Sequence, residues 1–111
     1  MKKNVQKNVL LSDMEATFDK CLSTAKKKNA DYAGEGEQSD PYKNFRGSEF
    51  VGVSPDRAIL VRLMDKMSRV STLLSQEAKV KDESIEDTLC DMVNYSAILL
   101  SYIKNNKLAT K

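Results

Sequence analysis

Two aspartates in the C-terminal part of the chain, Asp87 and Asp91, stand four residues apart, and Asn94 follows. On a helix this spacing places the three side chains on one face, with Glu83 one turn earlier. Carboxylates at this spacing repel each other by roughly 0.2–0.5 kcal/mol per pair, so water, a neighbouring cation or a bound metal must offset the repulsion. Binding of a hard cation such as magnesium is the first chemistry that the pattern suggests.

A second charged stripe precedes it, at Arg62, Asp65, Lys66 and Arg69. Two interpretations remain open. The basic and acidic side chains form ion pairs within their own helix, worth a few tenths of a kcal/mol each. In the other interpretation, Asp65 joins the two later aspartates around magnesium, and the three basic side chains bind phosphate oxygens.

Aromatic and amide side chains concentrate in the segment before these stripes. Such a mixture can stack on a nucleobase and read its edge, but the aromatics can equally pin a loop to the core. The candidate base-binding residues are Tyr32, Tyr42, Lys43, Asn44, Phe45 and Asn94.

Three long helices are predicted to position these residues. The first runs from an N-cap at Ser12 to about Asn29, and the second from Ser54-Pro55-Asp56 to about Glu77. The third starts near Ser84, where Asp87 completes a capping box. We therefore predict an all-α fold in one domain, residues 1–111. It is an antiparallel helical bundle with a long aromatic-containing loop (30–53) and a frayed tail (104–111). Residues 1–11 form an N-terminal arm, or residues 3–11 extend the first helix backward.

Each of the last two helices has an apolar stripe that we expect to face the core. The second half of the third helix is apolar almost all round, which predicts burial against a partner and hence a homo-oligomer. The stripes are Leu60, Leu63, Met64, Met67, Val70 and Leu74 in one helix, and Ile85, Leu89, Met92, Val93, Leu99, Leu100 and Ile103 in the other.

The composition narrows the possible functions. The chain has 111 residues, a net charge of +2 and no histidine, which excludes histidine-based catalysis and most zinc sites. No apolar run is long enough to span a membrane, no secretory leader is evident, and the charge gives no strong nucleic-acid signal. We expect a cytoplasmic protein, in the host cytoplasm if it is phage-encoded, with Cys21 and Cys90 as buried thiols.

The same residues carry a family resemblance. The segments Lys28-Asn-Ala-Asp-Tyr32, Asp40-Pro-Tyr-Lys-Asn-Phe45, Arg62-Leu-Met-Asp-Lys-Met-Ser-Arg69 and Lys81-Asp-Glu-Ser-Ile-Glu-Asp-Thr-Leu-Cys-Asp-Met-Val-Asn-Tyr95 together resemble the nucleotide modification associated domain of phages and bacteria. That family is also distantly similar to the MazG-like all-α nucleotide pyrophosphohydrolases, in which acidic residues on two antiparallel helices hold magnesium against a triphosphate.

The resemblance implies a phage-type protein that binds a (d)NTP-like nucleotide and hydrolyses it with magnesium. Asp87 and Asp91 fit the second acidic motif and would be the catalytic acids, with Asp65 and Glu83 as further metal ligands. The first motif, Glu-Glu-x-x-Glu, is missing, and Asp65 stands alone in its place. Two alternatives therefore remain open: a non-catalytic protein that binds or sequesters a nucleotide, as in phage counter-defence, and a helical protein-interaction module.

Overall fold

A computed structural model describes residues 6–33, 42–76 and 84–106. These residues form three α-helices, α1 (Lys7–Ala33), α2 (Pro55–Leu73) and α3 (Ile85–Asn106), with a 3₁₀ helix (Lys43–Val51) between the first two. They contain no strand, so the predicted all-α class is confirmed.

The first helix is longer at both ends than the sequence indicated. It begins five residues before Ser12, because the Gln6 carbonyl already accepts hydrogen bonds from the amides of Val9 and Leu10, both at 3.0 Å. Residues 7–11 are therefore helical and not an arm. Residues 30–33 are helical and not part of the loop. The glycines that indicated a loop begin only at Gly34, which lies outside the described residues.

Hydrogen bonds at the C-terminal ends of α2 and α3 explain where these two helices end. Helix α2 stops at Leu73, before the predicted Glu77, because the amides of Ser75 and Gln76 both turn back to the Thr72 carbonyl. Helix α3 continues to Asn106 and does not fray at residue 104. There the side-chain amide nitrogens of Asn105 and Asn106 donate to the backbone carbonyls of Ser101 and Tyr102, both at 2.8 Å.

The predicted starts of α2 and α3 are confirmed, with one difference in the capping hydrogen bonds of α2. At α3 the Asp87 amide donates to the Ser84 hydroxyl at 3.1 Å, and that hydroxyl donates to the Asp87 carboxylate at 2.8 Å. At the start of α2, Ser54 is the N-cap residue with an extended backbone, and Pro55 is the first helical residue, as predicted. However, the Ser54 hydroxyl donates to the Asp56 carboxylate and makes no cap bond to the backbone.

A small core joins the 3₁₀ helix to α2 and α3. Its buried members are Phe45, Ile59 and Tyr102, against which Tyr95 and Ile98 also pack. Ile59 lies early in α2 and Tyr102 late in α3, whereas Lys66 further along α2 pairs with Asp91 earlier in α3. The two helices therefore run in opposite directions.

The predicted core faces of α2 and α3 agree only in part with the faces that the structure covers. Leu99 packs against the core as predicted, but several other predicted core residues are exposed. On α2 the predicted core residues Leu60, Met64, Met67 and Leu74 are 48–75% exposed, whereas neighbouring Ile59 is fully buried. Periodicity identifies the residues that share a face, but the packing partner decides which face is covered. Here the aromatic Phe45 covers the face that carries Ile59.

On α3 the stripe of Asp91, Tyr95, Ile98 and Tyr102 points inward. Leu89 and Leu100 on the predicted core face are 45% and 53% exposed. The chain itself covers only part of the apolar second half of α3. Burial of the remainder against a partner, in a homo-oligomer, stays a prediction.

Both thiols are free, as predicted. Cys21 is buried and Cys90 is half-buried. Burial and a hydrogen bond with Cys21 raise the pKa of the Cys90 thiol to about 11. Both cysteines therefore act as small apolar residues between α1 and α3.

Candidate functional site

The three helices meet at one carboxylate. Asp91 of α3 is bonded through Oδ1 to the Lys28 ammonium of α1 and through Oδ2 to the Lys66 ammonium of α2, each at 2.9 Å. The Asp91 side chain is 19% exposed, and those of the two lysines are 47% and 30% exposed. A largely enclosed acid thus holds two cations that solvent can reach. We call these three residues the Lys–Asp–Lys cluster.

Two opposing effects determine the ionisation of Asp91. Burial by itself would raise its pKa, but the hydrogen bonds from Lys66 and Lys28 outweigh burial, and the pKa lies below the usual 3.8. The carboxylate is therefore ionised near neutral pH. The repulsion expected between the aspartates of α3 is offset by lysines contributed by two other helices.

Because its pKa is lowered by folding, Asp91 should stabilise the fold above pH 3.8 and lose that contribution as pH falls through its lower folded value. We expect Asp91→Asn to be less stable than the original chain near neutral pH by about 1 kcal/mol or less, since the lysines are partly solvent-screened. Urea unfolding at several pH values should show this difference shrinking below pH 3.8. The pKa of Asp56 is also lowered. Because Asp56 is present in both proteins, its contribution to the pH dependence cancels in the difference between their free energies of unfolding. A difference that persists in acid would contradict the assignment.

The other predicted metal ligands are not gathered around Asp91. Asp87 is exposed and accepts the Ser84 hydroxyl in the helix cap. Asp65 is exposed on α2, and Glu83 lies outside the described residues. Among the side chains that the structure describes (6–28, 42–76 and 84–106), no three acidic or cysteine groups are placed to hold a metal ion.

Two basic residues of α2, Arg62 and Lys66, contact other elements of the fold. Lys66 belongs to the cluster, and one turn earlier the Arg62 guanidinium lies 5.7 Å from the centre of the Phe45 ring. That ring meets Tyr95 edge-on, with 6.1 Å between centroids. Arg69 is half-buried on the same stripe. Lys66 of the polar stripe thus contacts α3 and Arg69 is half-buried, whereas Arg62 and Asp65 are exposed.

A groove of about 560 Å³ is lined by residues of α1 and α3 together with Tyr42. It includes Asn94, which follows Asp91 of the cluster by one helical turn and whose side-chain amide nitrogen donates to the Cys21 carbonyl at 3.0 Å. Further along, the Tyr42 hydroxyl bonds the Ser101 hydroxyl at 2.7 Å. The lining residues are Leu22, Ala25, Lys26, Tyr42, Asn94, Ala97, Ile98, Ser101 and Asn105.

The predicted base-binding residues are therefore separated. Tyr42 and Asn94 line the groove. Phe45 is only 5% exposed and belongs to the core, so its ring face is not available for stacking. Lys43 and Asn44 are exposed, with Lys43 in a different depression beside Phe50. The side chain of Tyr32 is outside the described part of the chain.

Three polar residues of this region were not predicted as site residues. Lys28 begins the Lys28–Tyr32 segment of the family resemblance and ends the Lys26–Lys28 run, which the C-terminus of a helix explains without a binding role. Ser101 and Asn105 are one helical turn apart, and Asn105 donates to the Tyr42 hydroxyl at 3.4 Å. A polar i, i+4 pair within an otherwise apolar helix was the available signal for them.

Part of the Lys–Asp–Lys cluster and of the groove lies within one segment that is shared with known proteins. Residues 52–103 match the family nucleotide modification associated domain 1. The resemblance predicted from the sequence is thereby confirmed for α2 and α3, which carry Lys66, Asp91 and Asn94. The similarity to MazG-like enzymes stays a prediction.

The match to nucleotide modification associated domain 1 leaves α1 and the 3₁₀ helix outside it. No curated protein and no solved structure is significantly similar to the chain. In the described part of the chain, none of the helices has the length and apolarity needed to cross a membrane. The name of that family refers to nucleotide modification.

Proposed function

We propose that this protein binds a nucleotide, with the base and sugar in the groove and the phosphates on Lys28 and Lys66. The observation that carries the proposal is the Lys–Asp–Lys cluster, in which ammonium groups from two helices meet at one carboxylate. Asp91 stands one helical turn before Asn94, which lines a groove large enough for a nucleoside. The family match to residues 52–103 supports a nucleotide as the ligand.

The charge of the cluster suits a phosphate. Two ammonium groups face a single carboxylate, so one positive charge is left over, and Lys26 of the groove adds another. Asp91 holds the lysines in place in the free protein. An incoming phosphate offers them oxygens of higher charge, and both lysines are exposed enough to turn toward it.

The groove suits a base and sugar. Its volume of about 560 Å³ is in the range of small-molecule pockets, which combine apolar walls with a few placed polar groups. Leu22 and Ile98 offer apolar contact to the faces of a base, and the carbonyl oxygen of Asn94 is an acceptor for its edge.

Magnesium-dependent hydrolysis has less support. The described acids do not come together, and both oxygens of Asp91 already accept lysine hydrogen bonds. A divalent cation beside two ammonium groups would be repelled. We therefore propose binding without a metal, and the non-catalytic interpretation of the sequence becomes the leading one. The free thiols of Cys21 and Cys90 are in keeping with a reducing cytoplasm.

Calorimetric titration with nucleoside mono-, di- and triphosphates, in buffer containing EDTA, tests the proposal. We expect saturable binding, and we expect Lys66→Met to weaken it at least about tenfold, the loss of one charge-assisted hydrogen bond. Lys20→Met, on an exposed position of α1, makes the same charge change elsewhere and should leave the affinity within about twofold.

Asp91→Asn separates binding from metal chemistry. If phosphate competes with Asp91 for the lysines, removing the negative charge should tighten binding by about threefold. If Asp91 holds magnesium, the same substitution should abolish binding or turnover. No binding of any nucleotide, or metal-dependent hydrolysis that disappears in Asp91→Asn, would overturn the proposal.

A further inference from the structure

Both asparagines that line the groove are fixed through their side-chain nitrogens. The Asn94 nitrogen donates to the Cys21 carbonyl at 3.0 Å, and the Asn105 nitrogen donates to the Ser101 carbonyl at 2.8 Å. A backbone carbonyl only accepts hydrogen bonds, so each amide must keep its nitrogen on that carbonyl and cannot turn over. In both side chains the oxygen is therefore the group that remains for a ligand.

These two oxygens give the groove an acceptor at each end of its α3 wall. Asn94 is the first and Asn105 the last residue of α3 that lines the groove, and the two lie about 16 Å apart along the helix axis. Within the described part of the chain, no residue donates a hydrogen bond to either oxygen. A ligand that fills the groove along α3 meets an amide oxygen whichever way it lies.

The other polar groups of the groove do not replace these acceptors. The Tyr42 and Ser101 hydroxyls share one hydrogen bond of 2.7 Å in which either oxygen can be the donor, so this pair adapts to a donor or an acceptor. Lys26 only donates, but its charge suits a phosphate. The two fixed amide oxygens therefore decide which hydrogen-bonding pattern the edge of a base must carry.

We propose that the groove selects nucleotides whose base carries an exocyclic amino group, as adenine and cytosine do. Bases with a carbonyl at that position, such as hypoxanthine and uracil, are disfavoured. This selectivity rests on the proposed nucleotide binding. An amino group donates to the amide oxygen, whereas a carbonyl in its place brings two acceptors together and leaves both without a hydrogen bond. Since each end of the α3 wall has such an oxygen, the preference is the same for either orientation of the nucleotide.

Calorimetric titration of the original chain in EDTA, with nucleotides that differ only at this group, tests the selectivity. We expect ATP to bind at least about tenfold more tightly than ITP, and CTP at least about tenfold more tightly than UTP, the effect of losing one hydrogen bond to a fixed acceptor. Purine riboside triphosphate, which has a hydrogen in place of the amino group of ATP, should bind as weakly as ITP.

Variants of the asparagines test the assignment to their oxygens. The double variant Asn94→Ala/Asn105→Ala should bring ATP and ITP within about twofold of each other. Asn106→Ala is the matched control, because Asn106 is the next residue of α3, makes the same kind of bond to the Tyr102 carbonyl at 2.8 Å, and does not line the groove. It should keep the full preference of the original chain.

The outcomes separate this selectivity from nucleotide binding itself. Equal affinities within both pairs of nucleotides would overturn the selectivity and leave nucleotide binding in place, whereas no binding of any nucleotide would overturn both. A preference that survives in the double variant, or is lost in Asn106→Ala, contradicts the role of the two oxygens. Should the double variant fail to fold, because Asn94 ties α3 to α1, the titration with purine riboside triphosphate decides the question on the original chain.

Discussion

Phe45→Ala should destabilise the protein by about 3–5 kcal/mol, the usual range for truncating a buried aromatic. The ring is 5% exposed and packs with Ile59 and Tyr102. It also meets Tyr95 edge-on and carries the Arg62 guanidinium on its face. Its removal leaves a cavity at the one point where the 3₁₀ helix is anchored to both α2 and α3, so a large part of the typical 5–15 kcal/mol stability is lost.

Phe50→Ala provides an internal comparison for this substitution. The same residue type stands in the same 3₁₀ helix but is 95% exposed, so its truncation should change stability by less than about 0.5 kcal/mol. Urea unfolding followed by circular dichroism, at one fixed protein concentration, measures both. Equal losses for the two variants would show that the 3₁₀ helix is not held through Phe45.

Ile59→Ala should cost about 2–5 kcal/mol, because Ile59 is fully buried and no solvent can fill the space that the side chain leaves. The effect tests the orientation of α2 directly. Had the apolar stripe of Leu60 and Met64 faced the core, Ile59 would lie at its edge and matter little.

Val61→Ala is the comparison on the same helix. Val61 is 57% exposed, and alanine favours helix more than valine does, so this change should be nearly neutral. Thermal unfolding and urea unfolding should both show a larger loss of stability for Ile59→Ala than for Val61→Ala. A larger loss from Val61→Ala than from Ile59→Ala would mean that α2 is rotated relative to its described position.

Local features of the fold could be predicted because their causes are local. The start of α2 at Ser54-Pro55-Asp56 and of α3 at Ser84 follow from side chains within three residues of each helix end. The start of α1 was wrong because Ser12 can sit inside a helix as well as cap one. Nothing near Ser12 shows that the helix already began at Lys7.

The orientation of the helices could not be predicted, because it depends on residues far apart in the chain. Whether Ile59 or Leu60 faces inward is decided by Phe45, and Phe45 reaches α2 only through the fold. Hydrophobic periodicity defines a stripe but not its partner.

The candidate site shows the same limit. The types and spacing of Asp87 and Asp91 were sufficient to mark the segment. Lys66 and Asn94 were named as candidate binding residues, and Lys66 contacts Asp91 while Asn94 lines the groove; their binding roles stay predictions. The cations that hold Asp91 come from positions 63 and 25 residues away. A pairing over such distances leaves no local pattern, so the sequence could name a neighbouring cation as one of three ways to offset the repulsion but could not say which residues supply it.

The grouping of the tyrosines has a practical consequence. Tyr42 and Tyr102 are in edge-to-face contact at 5.1 Å, Tyr95 packs beside them, and the chain has no tryptophan to receive their excitation energy. Intrinsic tyrosine emission is therefore a built-in optical reporter. Tyr42 also lines the groove. Tyrosine fluorescence can therefore report both unfolding of the core and binding of a ligand in the groove, without a label.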